Sequence, residues 1–126
     1  MAFPGTYNFS YYRGDTLEFR IYPKDSSGSA FDLTDYSGSE LFTISTSRGE
    51  DGLLDQVSGY AEISGDGTYI LCVITPDAGT QLAAGTQYVY DVEISKTAAP
   101  YNIVYTLLTG TITVTDQVGV TDFGES

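Results

Sequence analysis

The sequence predicts an all-β protein: a single antiparallel β-sandwich of about seven strands, carrying one short helical turn. Three observations predict it. Tyr, Val, Ile, Thr and Phe recur in short runs that alternate with polar residues, the period of a half-buried strand. Clusters of Gly, Asp and Ser punctuate these runs every ~8–12 residues, the spacing of a sandwich. No connection is long enough to hold a crossover helix apart from a short one near 76–84, so neighbouring strands are expected to run antiparallel.

Each element follows in order. In TYNFSYY (6–12), Tyr7, Phe9 and Tyr11 fall on one face. After Gly14-Asp15, the run TLEFRIYP places Leu17, Phe19 and Ile21 inward and Glu18, Arg20 and Tyr22 outward. KDSSGSA is a polar turn, and FDLTD a short extended piece anchored by Phe31 and Leu33. ELFTIST (40–46) points Phe42 and Ile44 one way. SRGEDGLLDQ is a polar loop with Leu53 and Leu54 as its apolar exceptions, and VSGYAEI (57–63) is the next strand. SGDG (64–67) supplies a hairpin turn, because Gly and Asp tolerate turn backbone geometry.

TYILCVIT (68–75) is apolar on both faces and reads as a strand covered on both sides. Thr75-Pro76-Asp77 reads as a helix start: a capping hydroxyl, a proline suited to the first helical position and an acid at the positive end of the dipole. The expected helix has one or two turns, with Leu82 as its anchor and Gly85 as its end. In YVYDVEIS, Tyr88, Tyr90, Val92 and Ile94 form one row, and Asp91 and Glu93 the other. KTAAP turns the chain, and YNIVYTLLTGTITVT (101–115) returns. Gly110 interrupts that last run and is expected to mark a bulge or a switch between sheets. The sandwich is placed at 1–118, and 119–126 is a C-terminal tail or an arm that orders against a neighbour.

Composition narrows the functions. The 126 residues suit one domain, and 5 basic against 17 acidic residues give a net charge of −12. So few Lys and Arg make nucleic acid and anionic membrane poor partners. The same charge favours solubility and discourages self-association. Histidine is absent, which removes the commonest general base and transition-metal ligand. Cys72 is the only cysteine and excludes an internal disulfide. MAFPGTYNF has no basic n-region or apolar h-region, so no secretory signal is expected, and no apolar run approaches the ~20 residues needed to span a bilayer.

Five features compete for a functional reading. Asp91 and Glu93 lie ~6.5–7 Å apart along a strand, within the spacing of inverting glycosidase carboxylates. Those enzymes set their carboxyls on opposite sides of a cleft, whereas these two share a face, so a solvated outer row is expected, with one of them paired to Lys96 or Arg20. Arg13-Gly14-Asp15 spells an adhesion tripeptide, but between two dense β runs it suits a tight turn better. Asp25, Asp32, Glu50, Asp51, Asp55 and Asp66 have no calcium-loop spacing. Cys72, inside the most apolar run, is expected to be buried and inert. Tyrosine is the remaining oddity: of 11 in the chain, Tyr12, Tyr22, Tyr60 and others fall on the polar phase of their strands. Tyr is enriched at interfaces. Protein docking is favoured there over sugar binding, because the chain has no Trp to build a platform. No catalytic, cofactor or metal site is expected.

Three segments in order, YYRGDTLEFRIYPKDSSGSAFDLTDYSG, ILCVITPDAGTQLAAGTQYVYDVEIS and VYTLLTGTITVTDQV, carry a resemblance. They resemble small virion structural proteins of tailed bacteriophages, including those of cyanophages, and more loosely the N-terminal domain of phage baseplate upper proteins. The resemblance spans roughly residues 6–118 and implies an immunoglobulin-like sandwich that docks onto a larger phage assembly. Gly14, Asp15 and Thr16 match a strand-opening turn, and Asp32, Leu33 and Thr34 a second turn. Thr75 and Pro76 match a helix start, Tyr88, Tyr90 and Asp91 a strand, and Gly110 a final bulge; all are framework positions. Baseplate adaptors continue into a stalk or receptor-binding region, and none is expected from the residues up to Ser126. The resemblance thus implies a capsid decoration or accessory protein, made in the host bacterial cytoplasm and located in the virion. Its implied partners are the major capsid protein or tail and baseplate proteins, with self-association possible. The alternatives are a neck, tail or baseplate adaptor and, in another class, a carbohydrate-binding module.

Overall fold

The computed structural model describes residues 4–46 and 56–116. Leu53, Leu54, Glu50, Asp51, Asp55 and the tail at 119–126 lie outside the described residues. Among the described residues there are eight strands: β1 (Gly5–Thr6), β2 (Phe9–Tyr12), β3 (Leu17–Ile21), β4 (Leu41–Ser45), β5 (Val57–Ile63), β6 (Ile70–Ile74), β7 (Gln87–Lys96) and β8 (Ile103–Thr115). One α-helical turn, α1 (Pro76–Gly79), and a 3-10 turn at Thr34–Tyr36 complete the set.

The strands form a curled mixed sheet in the order β1-β8-β7-β4-β5-β6-β3, with β2 also on β8. Its curl depends on β5. The first half of that strand pairs with β4 (Phe42 with Gly59), and the second half leaves for β6 (Ile63 with Ile70). Gly59 allows the departure: a Cβ there would sit 2.3 Å from the Phe42 ring. All neighbours from β7 through β3 run antiparallel as expected. The expectation of antiparallel pairing throughout fails at the start of the chain, where β1 and β2 both pair parallel to β8. Such a pairing needs no crossover helix here, because nearly the whole chain lies between the two partners and serves as the connection.

Alternation settles the interior well. Phe42 and Ile44, the row Tyr88, Tyr90, Val92 and Ile94, and Ile70, Cys72 and Ile74 are all buried. Rings meet at the centre of the curl: Phe19 of β3 packs edge-on against Phe42 and Tyr90 and reaches Phe9 across the open seam, at centroid separations of 5.6, 6.2 and 5.6 Å. Tyr7 shares the side of Phe9, as its phase predicts, but at the margin of the cluster. It is 47% exposed, stacks on Phe9 and meets Phe19 edge-on. The expectation that 68–75 is covered on both sides holds only in part. Val73 is buried on the outer face between Tyr60 and Glu18, but Leu71, in the next row between Glu62 and Arg20, is only half-buried.

The helix begins as predicted. The Thr75 hydroxyl accepts from Ala78 N at 3.2 Å, and Pro76 opens the turn. It stops after four residues instead of running on to Gly85. Beyond it Gln81 N and Leu82 N bond only three residues back and Ala83 N donates to the Tyr88 hydroxyl, while the guanidinium of Arg13 donates to Thr80 O and Leu82 O. Leu82 is buried and anchors it as expected.

Gly110 is not the site of a bulge or a sheet switch. It sits opposite Tyr90 in regular register, and the register shift falls lower on the same ladder. Val92 faces Leu108 and Glu93 faces Thr106, which leaves Leu107 as the extra residue. Gly110 instead permits a close approach from the other side. The ladder of the first segment breaks for two residues, Tyr7 and Asn8, and resumes in the same register. In the break, Tyr7 O turns to accept from the buried Tyr90 hydroxyl at 2.6 Å, and Asn8 Oδ1 takes the place of a backbone acceptor for Thr111 N at 3.0 Å. A Cβ on Gly110 would lie 2.0 Å from Tyr7 O.

Candidate functional site

Polar residues in phase with outward positions line the outer faces of the sheet, and these faces carry the exposed large side chains of the described residues. Over β5, β6 and β3 the register aligns two cross-strand rows: Tyr60, Val73 and Glu18 in one, and Glu62, Leu71 and Arg20 in the next. Tyr22, just past β3, closes the patch with Tyr69, their rings 5.4 Å apart. The Arg20 guanidinium lies over the Tyr69 ring at 5.4 Å, a cation–π contact that fixes both. Tyr60 donates to Glu62 Oε1 at 2.7 Å, and this bond to the carboxylate raises the phenol's pKa.

Two of the three tyrosines singled out by phase therefore share one surface. Tyr22 and Tyr60, 54% and 47% exposed, flank the Val73 and Leu71 strip. Tyr12, also exposed, is not part of it; it lies at the end of β2 beside Thr115 of β8. Leu41, 57% exposed on β4, was missed. Its signal is present in the sequence, since it is out of phase with Phe42 and Ile44. Tyr101 and Val104 are likewise exposed where the chain turns between β7 and β8.

Asp91 and Glu93 take the outer row of β7, half-buried, with Thr43 and Thr109 on either side of Asp91 and Leu41 and Thr106 on either side of Glu93. The two carboxylates project side by side from one wall. Lys96 lies 3.8 Å from Asp35 and its ammonium sits over the Tyr36 ring at 5.1 Å. Lys96 and Arg20, the cations expected opposite the acids, make these contacts with Asp35, Tyr36 and Tyr69. An open polar cleft of about 700 Å³ lies beside that ion pair, lined by Ser37, Ser95, Thr97 and Asn102 among others. Neither Asp91 nor Glu93 lines it.

The Arg-Gly-Asp turn is built into the framework. Gly14 takes φ +91°, and Asp15 N reaches back to Tyr12 O at 3.0 Å. The Tyr11 hydroxyl donates to Asp15 O at 2.7 Å and accepts from Gly14 N at 3.2 Å. Arg13 holds the end of α1 through Leu82 O at 2.8 Å and Thr80 O at 2.7 Å. A guanidinium held this way is not offered at a loop tip, as adhesion recognition requires.

The carboxylates that tempt a metal reading serve turns. Asp25 Oδ1 accepts from Ser27 N and Ser29 N, Asp32 Oδ1 from Thr34 N and Oγ1, and Asp66 Oδ1 from Ser64 Oγ and Thr68 Oγ1. These bonds favour the ionised acid and lower all three pKa values. Among the described residues no three of His, Cys, Asp or Glu converge on a point that would hold an ion.

Cys72 is fully buried on the inner face of β6, and burial pushes its thiol from 9.0 up to about 12. A thiol so placed carries no thiolate at neutral pH and is a poor nucleophile. Iodoacetamide at pH 8 is expected to leave it unmodified in the folded protein and to alkylate it in denaturant. A pH dependence follows from the same shift. Between about 9 and 12 the unfolded chain ionises Cys72 while the folded chain keeps it protonated, so its contribution is whole below pH 9 and lost as pH rises toward 12. Melting curves of Cys72→Ala across that range should fall less steeply than those of the wild type; identical slopes would contradict this assignment.

No helix among the described residues is long and apolar enough to cross a membrane. Compared with known protein families and with curated proteins, the sequence matches none.

Proposed function

We propose that the protein is a non-enzymatic structural component of a tailed-phage virion that docks on the capsid surface as a decoration or accessory protein. The observation that carries this reading is the outer face of β5, β6 and β3. There the exposed Tyr60 and Tyr22 flank half-buried Leu71 and buried Val73, with Glu18, Glu62 and Arg20 in the same cross-strand rows. Apolar area with an aromatic share and a charged border is the anatomy of a protein-docking patch. The ordered motifs of the sequence, which resemble phage virion proteins, supply the identity of the assembly. A specific contact on such a face buries roughly 1,200–2,000 Å² in total, and many copies multiply weak contacts by avidity. We read the curled sheet as an immunoglobulin-like sandwich, in which β5 passes from one layer to the other and the first segment adds parallel to β8.

A neck, tail or baseplate adaptor is the second reading, favoured by the same patch in a low-copy setting. The carbohydrate-binding reading has less support on this face, because the Tyr22 and Tyr69 rings are inclined by 50° and present no flat platform. Quantitative mass spectrometry of purified particles distinguishes these. Hundreds of copies per particle support decoration, and small multiples of three or six support the adaptor. Absence from particles, together with glycan-array binding, would replace both with the sugar reading.

A further inference from the structure

We propose that β3 is a self-complementary edge through which two copies of this chain pair antiparallel into one continuous sheet. Among the described residues β3 hydrogen-bonds only to β6, so the backbone groups on its other side are unpaired over Leu17–Ile21. Such an edge is a template for another strand unless it is blunted. This one has no proline, no bulge and no charge pointing inward between Leu17 and Ile21. A groove of about 400 Å³ separates this side from the first segment and β8, lined by Phe19, Arg20, Ile21 and Tyr22 on one wall and Tyr7 and Leu108 on the other.

The sequence of the strand, Leu-Glu-Phe-Arg-Ile, names the partner. Laid antiparallel on itself about Phe19, it sets Leu17 opposite Ile21 of the second copy and Phe19 opposite Phe19. Glu18 then faces Arg20 of the second copy, and the two-fold repeats that pair. Apolar side chains meet on the inner face and two ion pairs form on the outer face, where Glu18 and Arg20 are both exposed. The neighbouring registers that keep the same faces are penalised. A shift of two residues one way sets Arg20 against Arg20, and the other way Glu18 against Glu18; like charges directly opposite destabilise a pair. A shift of one residue turns the apolar row outward. Parallel pairing in register opposes like charges at both positions. Only one register satisfies both the faces and the charges.

The net charge of −12 opposes association at long range. At 0.15 M salt that repulsion is screened over about 8 Å, whereas the cross-strand pairs act at contact. The proposal stands apart from the virion reading, which survives if the chain proves monomeric.

Sedimentation equilibrium of the full chain at 0.15 M salt tests it with three variants: Glu18→Arg, Arg20→Glu and the double exchange. The wild type is expected to dimerise. Each single change puts like charges opposite and should weaken the dimer about tenfold or more, and the double exchange should restore it. A wild type that stays monomeric at every concentration, single variants that dimerise as the wild type does, or a double exchange no tighter than the singles would each overturn the proposal. Amide exchange in the wild type gives a reading that needs no variant. Protection over Leu17–Ile21 should rise with protein concentration, and concentration-independent exchange there would overturn it as well.

Discussion

Gly110→Ala is expected to cost about 3–5 kcal/mol of stability, adding overpacking to the loss of a buried hydrogen bond. The new methyl group would stand 2.0 Å from Tyr7 O and 2.9 Å from Asn8 Oδ1. The closest obstacle is backbone, which cannot rotate away as the tip of a side chain can. To make room, the Tyr7-Asn8 segment must lift from β8. Lifting it breaks the bond from the hydroxyl of Tyr90, a buried residue whose polar group then loses its acceptor. Asn8 would release Thr111 N at the same time. Denaturant melts check this through the midpoint at unchanged slope. Tyr90→Phe, which removes only the hydroxyl, should cost about 1–2 kcal/mol. The double variant should cost less than the sum, because both changes act on one contact. A Gly110→Ala protein within ~1 kcal/mol of the wild type would show that the first segment is not seated as described.

Gly79→Ala is expected to destabilise by about 2–4 kcal/mol, although helix propensity alone argues for a gain of about 1 kcal/mol. The clash wins because of what it meets. The added Cβ would lie 1.7 Å from the Tyr11 hydroxyl and 2.7 Å from the ring carbon that bears it. Tyr11 is buried, and its hydroxyl is held between Gly14 N and Asp15 O. Moving the ring therefore opens the Arg-Gly-Asp turn, and with it the grip of Arg13 on α1. In a Tyr11→Phe background the hydroxyl is gone, and Gly79→Ala should cost less by about 1–2 kcal/mol. Thermal or denaturant melts of the four proteins in this cycle decide it. Stabilisation by Gly79→Ala alone would refute the contact.

The cycle also bears on how function is read from short motifs. Arg-Gly-Asp in this chain joins β2 to β3, ties the turn to a buried tyrosine and caps a helix. All three residues have structural employment. Asp25, Asp32 and Asp66 are similar: each is an acid whose side chain shapes the turn that follows it. Residue types common to sites and to turns are told apart by what their side chains reach, and that is a matter of tertiary structure.

Much was legible from the sequence because it depends on near neighbours. A period of two assigned the inner row of Tyr88, Tyr90, Val92 and Ile94, the outer row of Asp91 and Glu93, and the split faces of β3, since a strand sends successive side chains to opposite sides whatever it pairs with. Thr75 and Pro76 marked the start of α1, because a cap acts within three residues. The outward phase of Tyr12, Tyr22 and Tyr60 was legible for the same reason. What joins distant segments was not. The parallel pairing of β1 and β2 with β8, the passage of β5 between two partners, and the shared patch of Tyr22 and Tyr60 without Tyr12 all depend on which strands become neighbours. Gly110 shows the division most clearly. The sequence alone determined that the last strand holds a residue without a side chain. The fold decided that the missing Cβ makes space for Tyr7 of the first segment, because a close approach is a property of two chains of atoms and only one of them is written around the glycine.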